Sequence, residues 1–115
     1  MDHQYNIWCD NLNEFVKFDS TVILDVEVFD LTTIVKYYKQ TNKDIDRWLN
    51  NHNDLLHMIE NVTTGCDNDI SERTIIKLKD NWYVNENVLI EYLYDIDVRF
   101  MHEVISQLSY NRINQ

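Results

Sequence analysis

The first thirty residues alternate between apolar and polar side chains. The segments YNIWC, EFVKF and TVILDVEVF are rich in β-branched and aromatic residues and are separated by Asp-Asn and Asp-Ser pairs. This composition favours strands, and Asp and Asn favour the turns that join them. The pattern predicts two or three strands, with turns at Asp10-Asn11 and at Asp19-Ser20.

A helical period replaces this alternation after Asp30 and predicts two helices joined by a short turn. Asp30 is placed to cap the first helix, and Thr41 and Asp44 have the capping-box spacing for the second. The apolar stripe of the second helix continues without interruption from Ile45 to Ile59, which predicts one long helix. The connecting turn of about three residues has the length used in helix-turn-helix units, as in any antiparallel helix pair.

The second half of the chain predicts a hairpin and two further helices. The polar segment 63–72 contains the single glycine, Gly65, and predicts a loop. RTIIKLK at 73–79 then alternates, and Asp80-Asn81 can turn the chain back into WYV. Two apolar stripes interrupted at Asp97 predict the closing helices, the first of them capped by Asn85.

These elements predict an α+β fold with small N-terminal strands, a helix-turn-helix-like pair, a wing-like β-hairpin and two C-terminal helices. A chain of 115 residues has room for one hydrophobic core. We therefore expect residues 1–115 to form a single domain.

The composition excludes several classes of function. No run approaches the roughly 18 apolar residues of a membrane span, and the N-terminus is acidic where secretory signals are basic. We expect an intracellular protein without membrane contact, in which Cys9 and Cys66 are reduced. Because no phosphate-binding glycine loop or nucleophile–base signature is present, we expect no enzyme and no cofactor. His52 and His57 are at i and i+5, which does not bring both onto one helix face, so we expect no metal site. We expect His52 to lie in the core and His57 to be exposed.

Two blocks of sequence carry a family resemblance through their order and spacing. IDRWLNNHNDLLHMIE at 45–60 joins a Trp-Leu pair to a leucine-rich helix, and NWYVNENVLIEYLYDIDVRFMHEVISQL at 81–108 joins a Trp to two helices. With VEVFDLTTIVKYY as the preceding strand and helix, they resemble the KilA-N domain of large DNA viruses and phages, over roughly residues 26–108. That family is related to the fungal APSES DNA-binding domain.

The resemblance implies a viral nucleic-acid-binding domain located in the cytoplasm or nucleus of a host cell. The sequence departs from the family at Asn85-Glu86-Asn87, where His-Pro-Asp is usual, and at Asn50-Asn51, where a basic residue is frequent.

The net charge of −10 opposes DNA binding, but the charge is unevenly distributed. Residues 31–52 carry a net charge of +2 and residues 73–79 a net charge of +3, and both segments fall on the DNA face that the resemblance implies. Residues placed to reach base edges in the major groove are Arg47, Asn50 and Asn51. Residues placed to contact phosphates are Arg73, Lys77 and Lys79 in the wing, and Lys36, Lys39 and Lys43 beside it. Contact with about six phosphates predicts weak, salt-sensitive binding.

Other interpretations of the same residues stay open. Alternating lysines often mark a solvated sheet edge, Arg47 can pair with Asp44 or Asp46, and tryptophans are most often core anchors. The rival function is an acidic protein-interaction or DNA-mimic domain, derived from a KilA-N domain that has lost DNA binding. Arg47 and the 73–79 segment on opposite sides of the molecule would exclude the nucleic-acid hypothesis.

Overall fold

A computed structural model describes residues 2–65 and 69–114 and shows an α+β fold, as predicted. Its strands are β1 (His3–Cys9), β2 (Glu14–Ile23), β3 (Val26–Asp30), β4 (Ile75–Leu78) and β5 (Asn81–Asn85). Its helices are α1 (Leu31–Lys36), α2 (Asn42–Asn51), α3 (Asn53–Thr64), α4 (Glu86–Ile96) and α5 (Val98–Ile113). None of these helices has the length and apolar character needed to cross a bilayer.

The hairpin formed by β4 and β5 belongs to the main sheet. All five strands pair antiparallel in the order β1-β2-β3-β5-β4, and Phe29 of β3 lies opposite Val84 of β5. The wing predicted from the sequence is therefore the edge of a continuous sheet, and its position is fixed by pairing with β3.

Two of the three hairpin turns differ from the positions predicted for them. The break predicted at Asp19-Ser20 is wrong, because β2 continues through it and the buried Ser20 hydroxyl donates to Glu27. The chain turns instead at Leu24-Asp25, where φ is 49° and 69°, and later at Lys79-Asp80, where φ is 50° and 66°. Two consecutive positive φ angles suit the right-handed twist of the flanking strands.

Helix α1 takes the place of a longer β3 between the ends of β2 and β5. The backbone N–H of Lys17 in β2 donates to the Tyr37 hydroxyl, and that of Trp82 in β5 donates to the Thr32 hydroxyl. These two hydroxyls take the place of a neighbouring strand as hydrogen-bond acceptors for the two backbone N–H groups. The helix ends at Lys36, earlier than its apolar stripe predicted.

The long second helix predicted from the sequence is wrong, because the chain breaks at His52. The Nδ1 atom of His52 lies 2.7 Å from the backbone oxygen of Trp48, and the His52 backbone N–H donates to Leu49 instead. The ring thus occupies the acceptor that an uninterrupted helix would use. His52 is half-buried, as is His57, so neither fits its predicted core or exposed position.

The three helix starts predicted from capping residues, at Asp30, Thr41 and Asn85, are confirmed, and Asp97 is a further cap that the sequence analysis did not predict. Asp30 accepts a hydrogen bond from the Thr33 N–H, and Thr41 and Asp44 form a capping box. Asn85 and Asp97 accept hydrogen bonds from the first turns of α4 and α5. The core lies between one face of the sheet and the helices, and it includes Phe18, Phe29, Val84, Leu89, Tyr92 and Phe100.

Candidate nucleic-acid interface

The start of α2 is in direct contact with the β4–β5 hairpin. The Asn42 side-chain amide donates to the backbone oxygen of Asp80 at 2.7 Å, and the Trp82 indole N–H donates to Asp46 at 2.8 Å. The Thr32 hydroxyl donates to Asn42, which ties α1 to the same junction. The two basic segments therefore lie side by side on adjoining elements.

The polar candidates on α2 lie mostly on its outward face. At about 100° per residue, Lys43, Arg47 and Asn50 project away from the buried Ile45 and Leu49. Asn51 is also exposed, and it lies further round the helix. These side chains are accessible to a ligand.

Arg47 has one local partner. Its side chain is 72% exposed and lies 3.6 Å from Asp44, so the local pairing anticipated from the sequence is present. Since exposed pairs at this spacing contribute little free energy, the guanidinium can leave Asp44 for a partner on a ligand.

The hairpin presents its lysines at the outer edge of the sheet. Lys77 is exposed on the same sheet face as Trp82, with its Nζ 5.2 Å from the centroid of the indole ring. Lys79 lies in the turn at the tip. Because β4 is an edge strand, these lysines also suit the alternative of a charged edge that deters pairing with other chains.

Arg73, Lys36 and Lys39 lie outside this junction. Arg73 precedes β4 and is half-buried, and its Nε is buried without a hydrogen-bond partner among the described residues. Lys36 is exposed one helical turn beyond Thr32, and Lys39 is exposed in the turn that follows. We infer that Arg73 is the least accessible of the predicted cations.

The two segments that form this region carry a positive net charge. Residues 31–52 and 73–82 contain seven Lys and Arg side chains against the carboxylates of Asp44, Asp46 and Asp80. Asp44 accepts a hydrogen bond from the Thr41 backbone N–H, and Asp46 accepts one from the Trp82 indole N–H. Two of the three acids therefore have structural roles. The rest of the chain is strongly acidic and reduces the long-range attraction of DNA.

Two of the tryptophans act as anchors with polar ends. Trp48 and Trp82 are half-buried and pack against the core, as expected for anchors. The Trp48 indole donates to Asp95 at 2.7 Å, in the same way that Trp82 donates to Asp46. Their rings hold α2 between α4 and the sheet.

A buried carboxylate that the sequence analysis missed fixes the base of the hairpin. Glu60 of α3 is fully buried. Its Oε1 atom accepts hydrogen bonds from the Ser71 backbone N–H at 2.6 Å and from the Thr74 hydroxyl at 2.7 Å. Burial acts to raise the pKa of Glu60, but these hydrogen bonds lower it more, so the net pKa lies below its ordinary value. An ionised Glu60 therefore joins α3 to the segment leading into β4.

A second buried carboxylate, Asp97, closes the opposite end of the fold. It accepts hydrogen bonds from the Tyr38 hydroxyl at 2.7 Å and from the Asn11 side-chain amide at 2.6 Å, and it caps α5. The Cys9 thiol lies 3.4 Å away, whereas Cys66 lies outside the described residues. Burial acts to raise the pKa of Asp97, and the hydrogen bonds give a net lowering.

Metal-binding side chains do not cluster in the ranges 2–65 and 69–114, where no group of three His, Cys, Asp or Glu residues is arranged to hold an ion. Comparison of the chain with protein-family models, with curated proteins and with solved structures finds no match.

Proposed function

We propose that the chain is a KilA-N-like domain that binds DNA weakly and in a salt-sensitive manner through α2 and the β4–β5 hairpin. The observation that carries this proposal is the contact between the two elements, through Asn42 with Asp80 and Trp82 with Asp46. It gives the two basic segments one shared surface, which the nucleic-acid hypothesis required.

In this proposal, α2 enters the major groove and the hairpin follows the backbone. The helix is ten residues long, about 15 Å, and the groove is about 12 Å wide. Arg47 and Asn50 lie on the outward face of α2, where they reach base edges, with Asn51 beside them. Lys77 and Lys79 contact phosphates together with Lys43 at the start of α2.

Salt dependence follows from the number of phosphate contacts. Three phosphate contacts, by Lys43, Lys77 and Lys79, with a slope of about −0.9 each reduce the binding constant by about 40-fold when salt rises fourfold. The acidic remainder of the chain repels the same polyanion, so the affinity at physiological salt is low.

The test is a fluorescence-anisotropy titration of a labelled DNA duplex at about 50 mM and about 200 mM salt. Arg47→Glu and Lys77→Glu should each weaken binding by about tenfold or more at the lower salt. Lys17→Glu is the matched control, because it changes the net charge equally on the opposite face of the sheet and should have a much smaller effect. No saturable binding at the lower salt, or equal losses in all three variants, would refute the proposal.

The rival function, an acidic domain that contacts proteins, is favoured by a different observation. Met58 and Val62 of α3 are large apolar side chains that are exposed to solvent and line one depression together with α4. Exposed apolar side chains that form a continuous patch are typical of protein-interaction sites. Since this patch and the basic surface are separate, each function can be tested without the other.

A further inference from the structure

Helix α3 has a wider apolar stripe than the core covers. Leu55, Met58, Ile59 and Val62 follow the spacing i, i+3, i+4 and i+7 of one helix face. Ile59 is buried, but Met58 is 66% exposed and Val62 is 78% exposed. Part of this stripe therefore faces solvent.

Helix α4 supplies a second wall and turns the stripe into a groove. Asn87, Ile90 and Glu91 of α4 line the same cavity as the α3 residues, with a volume of about 250 Å³. Small-molecule pockets usually begin at about 300 Å³ and enclose their ligand. An open groove of this size between two helices suits the apolar face of a docked helix better.

The charges around the groove are predominantly acidic. Glu91 lies in the wall itself, and a neighbouring depression of about 340 Å³ shares Val62 and Asn87 with the groove. That depression leads to the carboxylates of Asp25, Glu27 and Glu86. Among the described residues that line the two cavities, the one Lys or Arg side chain is Arg112, and it is paired with Glu86.

We propose that this groove binds an amphipathic helix of a partner protein whose apolar face is flanked by Lys or Arg. The apolar face would cover Met58 and Val62, and the basic flanks would meet Glu91 and the carboxylates beyond Val62. A second copy of this chain is a poorer occupant, because two chains of net charge −10 repel each other. The groove lies outside the basic surface, so this inference does not depend on DNA binding.

The test uses two fluorescent synthetic helices with the same leucine face, one flanked by lysines and the other by glutamates. Fluorescence anisotropy should show saturable binding of the lysine peptide and binding at least about tenfold weaker for the glutamate peptide. Val62→Lys should weaken binding of the lysine peptide by about tenfold, because it removes apolar contact and adds a repelling charge.

Ile113→Lys is the matched control, since Ile113 is 81% exposed at the end of α5 and outside the groove. It should leave the peptide affinity unchanged, and thermal unfolding should show that both variants fold. Equal binding of the two peptides, or equal effects of the two variants, would overturn the proposal. So would a dimer of the chain in sedimentation that Val62→Lys abolishes, because the groove would then be filled by a second copy. Unchanged DNA binding by Val62→Lys would show that the two surfaces act separately.

Discussion

Replacing Glu60 tests whether a buried carboxylate fixes the hairpin that carries Lys77 and Lys79. In the wild-type protein, Glu60 accepts hydrogen bonds from the Ser71 backbone, the Ser71 hydroxyl and the Thr74 hydroxyl. Glu60→Leu keeps a similar volume and removes the carboxylate that accepts all three hydrogen bonds. Glu60→Gln keeps the shape and one carbonyl acceptor but removes the charge.

The expected losses follow from these contacts. Each buried donor left without a partner costs about 1–3 kcal/mol, and leucine recovers part of this by apolar burial, so Glu60→Leu should lower the free energy of unfolding by about 3 kcal/mol. Glu60→Gln should cost about 1 kcal/mol, which is the difference between charged and neutral hydrogen bonds.

The dependence on pH identifies the ionised form. The folded-state pKa of Glu60 lies below the unfolded value of about 4.3. The ionised carboxylate therefore contributes fully to the free energy of unfolding above that pH, and this contribution is lost as the pH falls through the folded-state pKa. The difference in stability between wild type and Glu60→Gln should therefore be constant near neutral pH and shrink in acid.

The assay is urea unfolding followed by tryptophan fluorescence across this pH range. Glu72→Leu is the control, because Glu72 is an exposed acid in the same segment and its replacement should cost less than about 0.5 kcal/mol. A cost below about 1 kcal/mol for Glu60→Leu, or a difference for Glu60→Gln that grows in acid, would refute the reasoning.

Two further predictions concern the opposite end of the fold and a turn. Asp97→Ala removes the cap of α5 and the hydrogen-bond acceptor for Tyr38 and Asn11. Urea unfolding should therefore show a free energy of unfolding about 3 kcal/mol lower than that of the wild type. A decrease of less than about 1 kcal/mol would mean that these contacts are dispensable. Asp25→Gly relieves a positive φ of 69° in the β2–β3 turn and should stabilise the protein by about 0.5–1 kcal/mol, and a lower Tm in thermal unfolding would contradict this.

The sequence predicted best those features that depend on neighbouring residues. Asp30 and Asn85 each accept a hydrogen bond from a backbone N–H three residues ahead, so their predicted capping roles follow from local spacing alone. The break at His52 was missed because the apolar series continues through it. It depends on a ring nitrogen reaching the Trp48 backbone oxygen, which periodicity does not reveal.

The candidate site shows the same division between local and distant contacts. The exposure of Lys43, Arg47 and Lys77 follows from strand and helix patterns. The contact of Asn42 with Asp80 joins residues 38 positions apart, and no local pattern specifies it. The groove was missed for a related reason, since Met58 and Val62 lie on the same helix face as the buried Ile59 and their spacing does not reveal that the core leaves them exposed.

The position of β5 beside β3 also constrains how the chain is made. β1, β2 and β3 are consecutive and pair in order, so they can assemble as soon as residue 30 has left the ribosome. The free side of β3 then stays open until residues 83 to 85 have been synthesised, with three helices formed in between. During that interval the nascent chain exposes an unpaired strand edge to its surroundings, which makes it most vulnerable to mispairing before its last two helices are made.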